Sequence, residues 1–237
     1  IQLQPAFVLH RRPYRETSML IDLLTQDYGR ITVVGRGVRN VKTMSVALLQ
    51  PFIALLISAY GKTDLLSLRG VELNESATLW HYQASTNLAC GFYLNELLMH
   101  LLPKHDPSSE LFALYNNSLL QLYSARNQER DRVLRVFEKN LLGFLGYGLS
   151  LQEQHAFVAD EYYVFTLEAG FMPQRFSSAK LSMTMKNAFS GAVINAVINE
   201  DLGNHQVLLE AKRLLRFILS LLLDGRKIHS RRLLLEQ

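Results

Sequence analysis

Over residues 1–75 the apolar positions come in short runs of aliphatic and β-branched residues. From about Ser76 onward their spacing lengthens to the three-to-four repeat of a helix. The early runs, 4–10, 17–25, 30–35, 51–59 and 65–71, predict five strands. They are parted by His10-Arg11-Arg12-Pro13, Asp27-Tyr28-Gly29, the stretch 35–40 and Tyr60-Gly61-Lys62. Five short strands in so little chain suit a small closed barrel of the oligonucleotide-binding (OB) type, since a sandwich usually needs about seven. The segment SVALLQPFIALLISA also fits a helix.

In the second part, residues 86–102 are almost wholly apolar and stop at Pro103, which predicts a buried helix. Ser108-Ser109-Glu110 opens a second helix. Residues 129–145 form an amphipathic third, stopped by Gly146-Tyr147-Gly148. Around Glu168-Ala169-Gly170 the pattern gives a hairpin between 162–167 and 171–172. Broken helical pieces follow over 179–199, then helices over 205–223 and 230–236. The predicted class is α+β: a barrel domain over 1–77, then a mainly helical domain over 78–237 with a small insertion at about 149–176.

The 237 residues are 49% hydrophobic, enough for two modest cores, and the formal charge of +4 permits a polyanionic partner without requiring one. Cys90 is the single cysteine, so no internal disulfide or Cys-rich metal site is expected. No 18-residue apolar run suggests a membrane span, and residues 1–16 lack a signal peptide's apolar core. These features predict a cytoplasmic protein. Gly61-Lys62-Thr63 has Leu56 where a phosphate-binding loop needs glycine. Gly35-Arg36-Gly37 is followed by Asn40 where a dinucleotide fingerprint needs glycine. No histidine pair, serine elbow or carboxylate pair has the spacing of a catalytic or metal site. The expectation is a non-enzyme without catalytic residues, metal or cofactor.

Charge is unevenly placed. No Asp or Glu occurs between Tyr28 and Thr63, while Arg30, Arg36, Arg39, Lys42 and Lys62 all do. With Arg11, Arg12 and Arg15 in the preceding turn, these cations would line a positive groove on the barrel, and Tyr14, Tyr28 and Tyr60 lie near enough to offer stacking faces. A solvated basic loop is the plainer alternative. A second group, Lys212, Arg213 and Arg216, shares a segment with Leu208, Leu209, Leu215 and Leu219. Its apolar surface rimmed by cations suits an acidic peptide with a hydrophobic end, and equally a helix buried on one side. Arg132 and Arg135 carry the same ambiguity.

The stretch AFVLHRRPYRETSMLIDLLTQDYGRITVVGRGVR resembles the N-terminal signature of the RecO family of recombination mediators, through Arg12, Glu16 and Ser18, then Thr25 and Gly29, then Arg36, Gly37 and Arg39. LLQPFIALLI, FYLNELLMHLL, RVFEKNLLGFLGYG and the last thirty residues continue the likeness in order, over nearly the whole chain. The resemblance implies binding of single- and double-stranded DNA by the OB domain, with the basic loop at Arg36, Arg39 and Lys42 and Arg30 beside it. It further implies annealing of complementary strands coated by single-stranded-DNA-binding protein, contact with that protein's acidic C-terminal tail through Arg135, and work with RecR in loading RecA. A nucleoid-associated monomer is expected. A pure protein-interaction adaptor, with incidental DNA contact, is the rival reading. Many relatives hold zinc through four cysteines in the insertion; residues 149–176 have none, so a metal-free hairpin is expected there.

Overall fold

A computed structural model of the chain describes residues 1–38, 47–74, 85–126, 128–147, 157–174 and 186–235. The strands are β1 (Gln4–Tyr14), β2 (Ser18–Thr25), β3 (Gly29–Gly35), β4 (Ala54–Tyr60), β5 (Leu65–Leu73), β6 (Tyr162–Thr166), β7 (Gly170–Gln174) and β8 (Ala188–Ser190). The helices are α1 (Ser85–Leu101), α2 (Ser109–Ser124), α3 (Gln128–Phe144), α4 (Gly191–Ile198), α5 (His205–Leu223) and α6 (Ser230–Leu235). They fall into two compact units, one of Ile1–Ser124 with Ile228–Gln237 and one of Ala125–Lys227. The boundary expected near residue 77 lies inside the first unit.

In the first unit β1 to β5 close into a barrel in the order β1-β2-β3-β5-β4. Every pairing is antiparallel except β3 with β5. Strand alternation sends Val8, Ile21, Leu23, Ile31, Val33 and Ile57 into the interior, where none exposes any surface. The ambiguous stretch before Tyr60 is strand from Ala54 onward, because β1 and β5 hydrogen-bond to it on either side. β1 runs on through the expected turn at 10–13. β4 pairs with Gln4 to Phe7 and Pro51 bridges Val8; beyond that this edge of β1 has no strand partner among the described residues, where a strand tolerates Pro13. Gly29 joins β2 to β3 at φ +63°, and a Cβ there would lie 2.2 Å from the Asp106 carbonyl oxygen, so only glycine fits.

The helices of this unit are tied to the barrel by buried polar contacts. Asn95 of α1 donates to the carbonyls of Val8 (3.3 Å) and Leu9 (2.9 Å), and accepts from the Tyr115 hydroxyl of α2 at 2.5 Å. Complete burial pushes the Tyr115 phenol well above its ordinary pKa. Phe7 packs edge-on against Tyr115 and beside Phe112. Glu96 of α1 accepts from the backbone N–H groups of His229 and Ser230 and from the Ser230 hydroxyl, capping the start of α6.

The second unit packs α3 against α5 through residues such as Phe137, Leu141, Leu214 and Ile218, all without exposed surface. Its antiparallel sheet has the order β7-β6-β8. The hairpin β6–β7 lies where the pattern put it. Helix had been expected over 179–199, yet 188–190 form a third strand: Ala188 to Ser190 pair with β6, and the Ser190 hydroxyl accepts from Val193 N–H, so α4 starts only at Gly191. The Gly191 backbone meets the 157–158 segment closely: a Cβ would come within 2.1 Å of the Val158 carbonyl oxygen. Phe157, Phe165 and Phe171 with Tyr163 form an edge-to-face cluster around the hairpin. The rest of the expected insertion and the first part of 179–199 lie outside the described residues. Among the described residues no three His, Cys, Asp or Glu side chains are grouped to hold a metal ion, and no helix is long and apolar enough to cross a membrane.

Candidate nucleic-acid interface

The strand register sorts one stretch of the barrel's outer face into three rows. In the first, Phe7 faces Leu24 and Leu24 faces Arg30. This row is covered: Phe7 meets α2, and the Arg30 guanidinium packs against Met99 of α1. The second row runs His10, Asp22, Thr32, Leu65. Asp22 is buried there, accepting from the Thr32 hydroxyl at 2.7 Å, with Arg12 at 3.5 Å and His10 at 3.8 Å from its other oxygen. The third row crosses all five strands, as Arg12, Leu20, Val34, Ser67 and Tyr60. None of these five is buried, and Tyr60 is half exposed.

A β-bulge shapes the far end of the third row. Ser58 faces Gly70 and Ala59 faces Leu68, so Arg69 is the extra residue. Strict alternation would have turned Gly70 inward; the extra residue leaves Arg69 exposed, with its guanidinium 4.8 Å from the Tyr60 ring centroid. Beyond the opposite end, two residues past Arg12 on β1, the Tyr14 ring has Arg15 at 5.2 Å from its centroid. Arg36 leaves the sheet two residues beyond Val34, toward the same rim, and is exposed. Among the described residues no carboxylate lies within ion-pair distance of Arg36, Lys62 or Arg69.

The other barrel cations named from sequence are placed differently. Arg11 is half-buried and donates to the Leu49 carbonyl at 3.1 Å and to Gln50 Oε1 at 2.8 Å, holding the segment before β4. Arg30 belongs to the covered row. Burial pushes its pKa down against the pull of Asp22, and its Nε is buried with no hydrogen-bond partner among the described residues. Arg12 sits in the open row. Arg39 and Lys42 lie outside the described residues.

In the second unit Arg135, expected to face a partner's tail, is 1% exposed, and its Nη2 donates to the equally buried Glu138 at 2.5 Å. It presents no surface to a peptide, because α3 turns it into the core. Lys212 binds Asp131 at 3.2 Å. Arg213 binds Glu210 and the Ala188 carbonyl while its guanidinium covers the Phe189 ring at 4.3 Å. Arg132 is exposed and Arg216 half-buried. Pairing of α3 with α5 therefore brings Arg132 and Lys212 to one side of the unit, Lys212 being held by the residue before Arg132.

Sequence reading missed Asp22 and Arg69. A lone carboxylate inside the apolar run SMLIDLLT was the available signal for the first; no signal short of the bulge itself marks the second.

Residues 2–77 match the family model "Recombination protein O N terminal" and residues 83–232 match "Recombination protein O C terminal". The chain is 42% identical to a "DNA repair protein RecO" of Nitrosococcus oceani over all of this chain and 94% of that one. It is 38% identical to the protein of that name in Methylococcus capsulatus, over 98% of this chain and 93% of the relative. The Coxiella burnetii protein is also 38% identical, over 99% and 98%.

Proposed function

Since the chain belongs to the RecO family of DNA repair proteins, we propose that its barrel binds single- and double-stranded DNA and anneals complementary strands coated by single-stranded-DNA-binding protein. With RecR it would then promote loading of RecA. The observation that carries this reading is the open third row. Arg12 stands exposed in it, and Arg36 just past β3 and Lys62 and Arg69 on the β4–β5 hairpin stand exposed around it. Cations held there neutralise phosphates on two strands at once and lower their mutual repulsion, so bases can pair without any covalent step. Arg11 and Arg30 act behind this surface, one holding the chain before β4 and the other packed under α1. Arg39 and Lys42, outside the described residues, continue the run of cations that follows Arg36 in the sequence.

The helical unit supplies the partner contact. Arg132, Lys212, Arg213 and Arg216 rim the α3–α5 pair and suit the acidic tail of single-stranded-DNA-binding protein, with buried Arg135 shaping α3 beneath them.

Replacing Arg36, Arg39 and Lys42 together by Glu tests the DNA reading. Annealing of coated complementary oligonucleotides should be lost while the far-ultraviolet circular dichroism stays unchanged. Each lost phosphate contact should lower the dependence of log affinity on log salt by about 0.7 for a single strand. An unchanged slope with full annealing would refute the site and favour an adaptor that touches DNA only incidentally.

A further inference from the structure

We infer that the third row is a track for unpaired bases, in which an Arg–Tyr stack at its β4 end, Tyr60–Arg69, and one just beyond its β1 end, Tyr14–Arg15, each receive a base of single-stranded nucleic acid. This rests on the DNA-binding reading above and adds what the surface recognises: the π-faces of splayed bases as well as phosphates.

Three features carry the inference. The row spans four inter-strand steps, about 19 Å along the sheet at about 4.8 Å per step, so it seats several nucleotides rather than one. Tyr60 ends the row on β4, aliphatic Val34 and Leu20 lie along it, and Tyr14 stands on β1 two residues beyond Arg12 at the other end. Each ring has a guanidinium over it, at 4.8 and 5.2 Å from the centroid. A ring with a planar cation on it presents a stacking surface that is also positive, which suits a base still joined to its phosphates.

The bulge strengthens the case. It leaves Arg69 and Gly70 both outside the core before Val71 turns back in, so that Arg69 has no residue opposite it on β4 and lies beside Tyr60, a device found beside binding surfaces. Nothing in the packing requires Arg69 there: Tyr60 and Arg69 are both exposed, and the core beneath is closed by Ala59 and Val71. No residue of the row itself is acidic. Asp22 is buried under Arg12 and Thr32, while Asp64 stands on the β4–β5 turn with His105. Glu16, beside Arg15, is the exposed acid nearest in sequence to the β1 end.

A duplex offers no base faces to such a track. Binding through the stacks should therefore favour single strands and depend on the bases themselves. The test compares a thymine oligonucleotide with an abasic oligonucleotide of equal length and charge, using the full chain and the variants Tyr60→Leu, Tyr14→Leu and both together. The unaltered protein should bind the thymine strand more tightly. Each substitution should weaken that binding about 5- to 100-fold, leave the abasic strand's affinity unchanged and keep the salt slope constant. Leu at these exposed or half-exposed positions preserves the fold, which a thermal melt checks. Equal affinity of the unaltered protein for both strands, with a steep salt slope, overturns the base track but keeps the DNA-binding reading. Absence of binding to either strand overturns both.

Discussion

The barrel and the helical unit each carry a cluster of arginines and lysines, and the two clusters are used in opposite ways. Around the barrel's open row Arg36, Lys62 and Arg69 have no carboxylate at ion-pair distance among the described residues, and Arg12, within it, touches Asp22 only at 3.5 Å. In the helical unit Arg135, Lys139, Lys212 and Arg213 each sit on a carboxylate at 3.2 Å or less. Along the sequence the two groups look alike. What separates them is the neighbour across the fold: strand edges carry the barrel cations away from acids, whereas α3 and α5 interleave opposite charges. A paired cation projects little field toward a polyanion, so the attraction for DNA should come from the first unit.

The widest separation between the two clusters is expected in stability. Arg135→Met should destabilise the helical unit by about 3–5 kcal/mol in denaturant unfolding, since it takes the guanidinium away from the Glu138 carboxylate in the core. Adding Glu138→Leu should restore most of that loss. The corresponding Arg36→Met should change stability by no more than about 0.5 kcal/mol. In DNA affinity the order reverses. Arg36→Gln with Arg69→Gln should reduce the single-strand salt slope by about 1.4, from two contacts of about 0.7 each, while Lys139→Gln should leave the slope as it is.

The smallest difference concerns acid. Burial would raise the Glu200 carboxyl, but hydrogen bonds from Lys139 and Asn140 and the nearby Arg132 hold it below the ordinary carboxylate range. Its contribution is therefore fully present above the unfolded pKa and fades as pH falls through the lower folded one. Glu200→Gln should flatten the helical unit's acid-unfolding profile by less than about 1 kcal/mol, because the pair is partly solvated.

Much of the fold was legible because its elements obey one period each. The strand runs at 17–25 and 65–71 and the helices at 129–145 and 205–223 match the observed elements to within a residue or two. What escaped depended on contacts distant in sequence. Residues 188–190 are strand because β6 pairs with them, and β1 outlasts its expected turn because its edge there accommodates Pro13. The candidate site shows the same divide. Cation identity picked out Arg12 and Arg36, which stand exposed on the barrel, yet it could not tell them from Arg11 and Arg30, whose burial is set by residues 38 to 69 positions away. Tyr60 was visible as an aromatic, and its partner Arg69 was not, since an extra residue in a strand leaves no compositional trace.

The Glu96 cap on α6 has a bearing on biosynthesis. The segment that finishes the barrel's unit, Ile228–Gln237, is translated only after the whole of Ala125–Lys227. At about 5–20 residues per second that is a wait of roughly 5–20 s, during which the Glu96 carboxylate on the nascent chain has neither His229 nor Ser230 to receive. The unit that begins emerging from the ribosome first is thus the last to be completed, and the helical unit has time to fold before it.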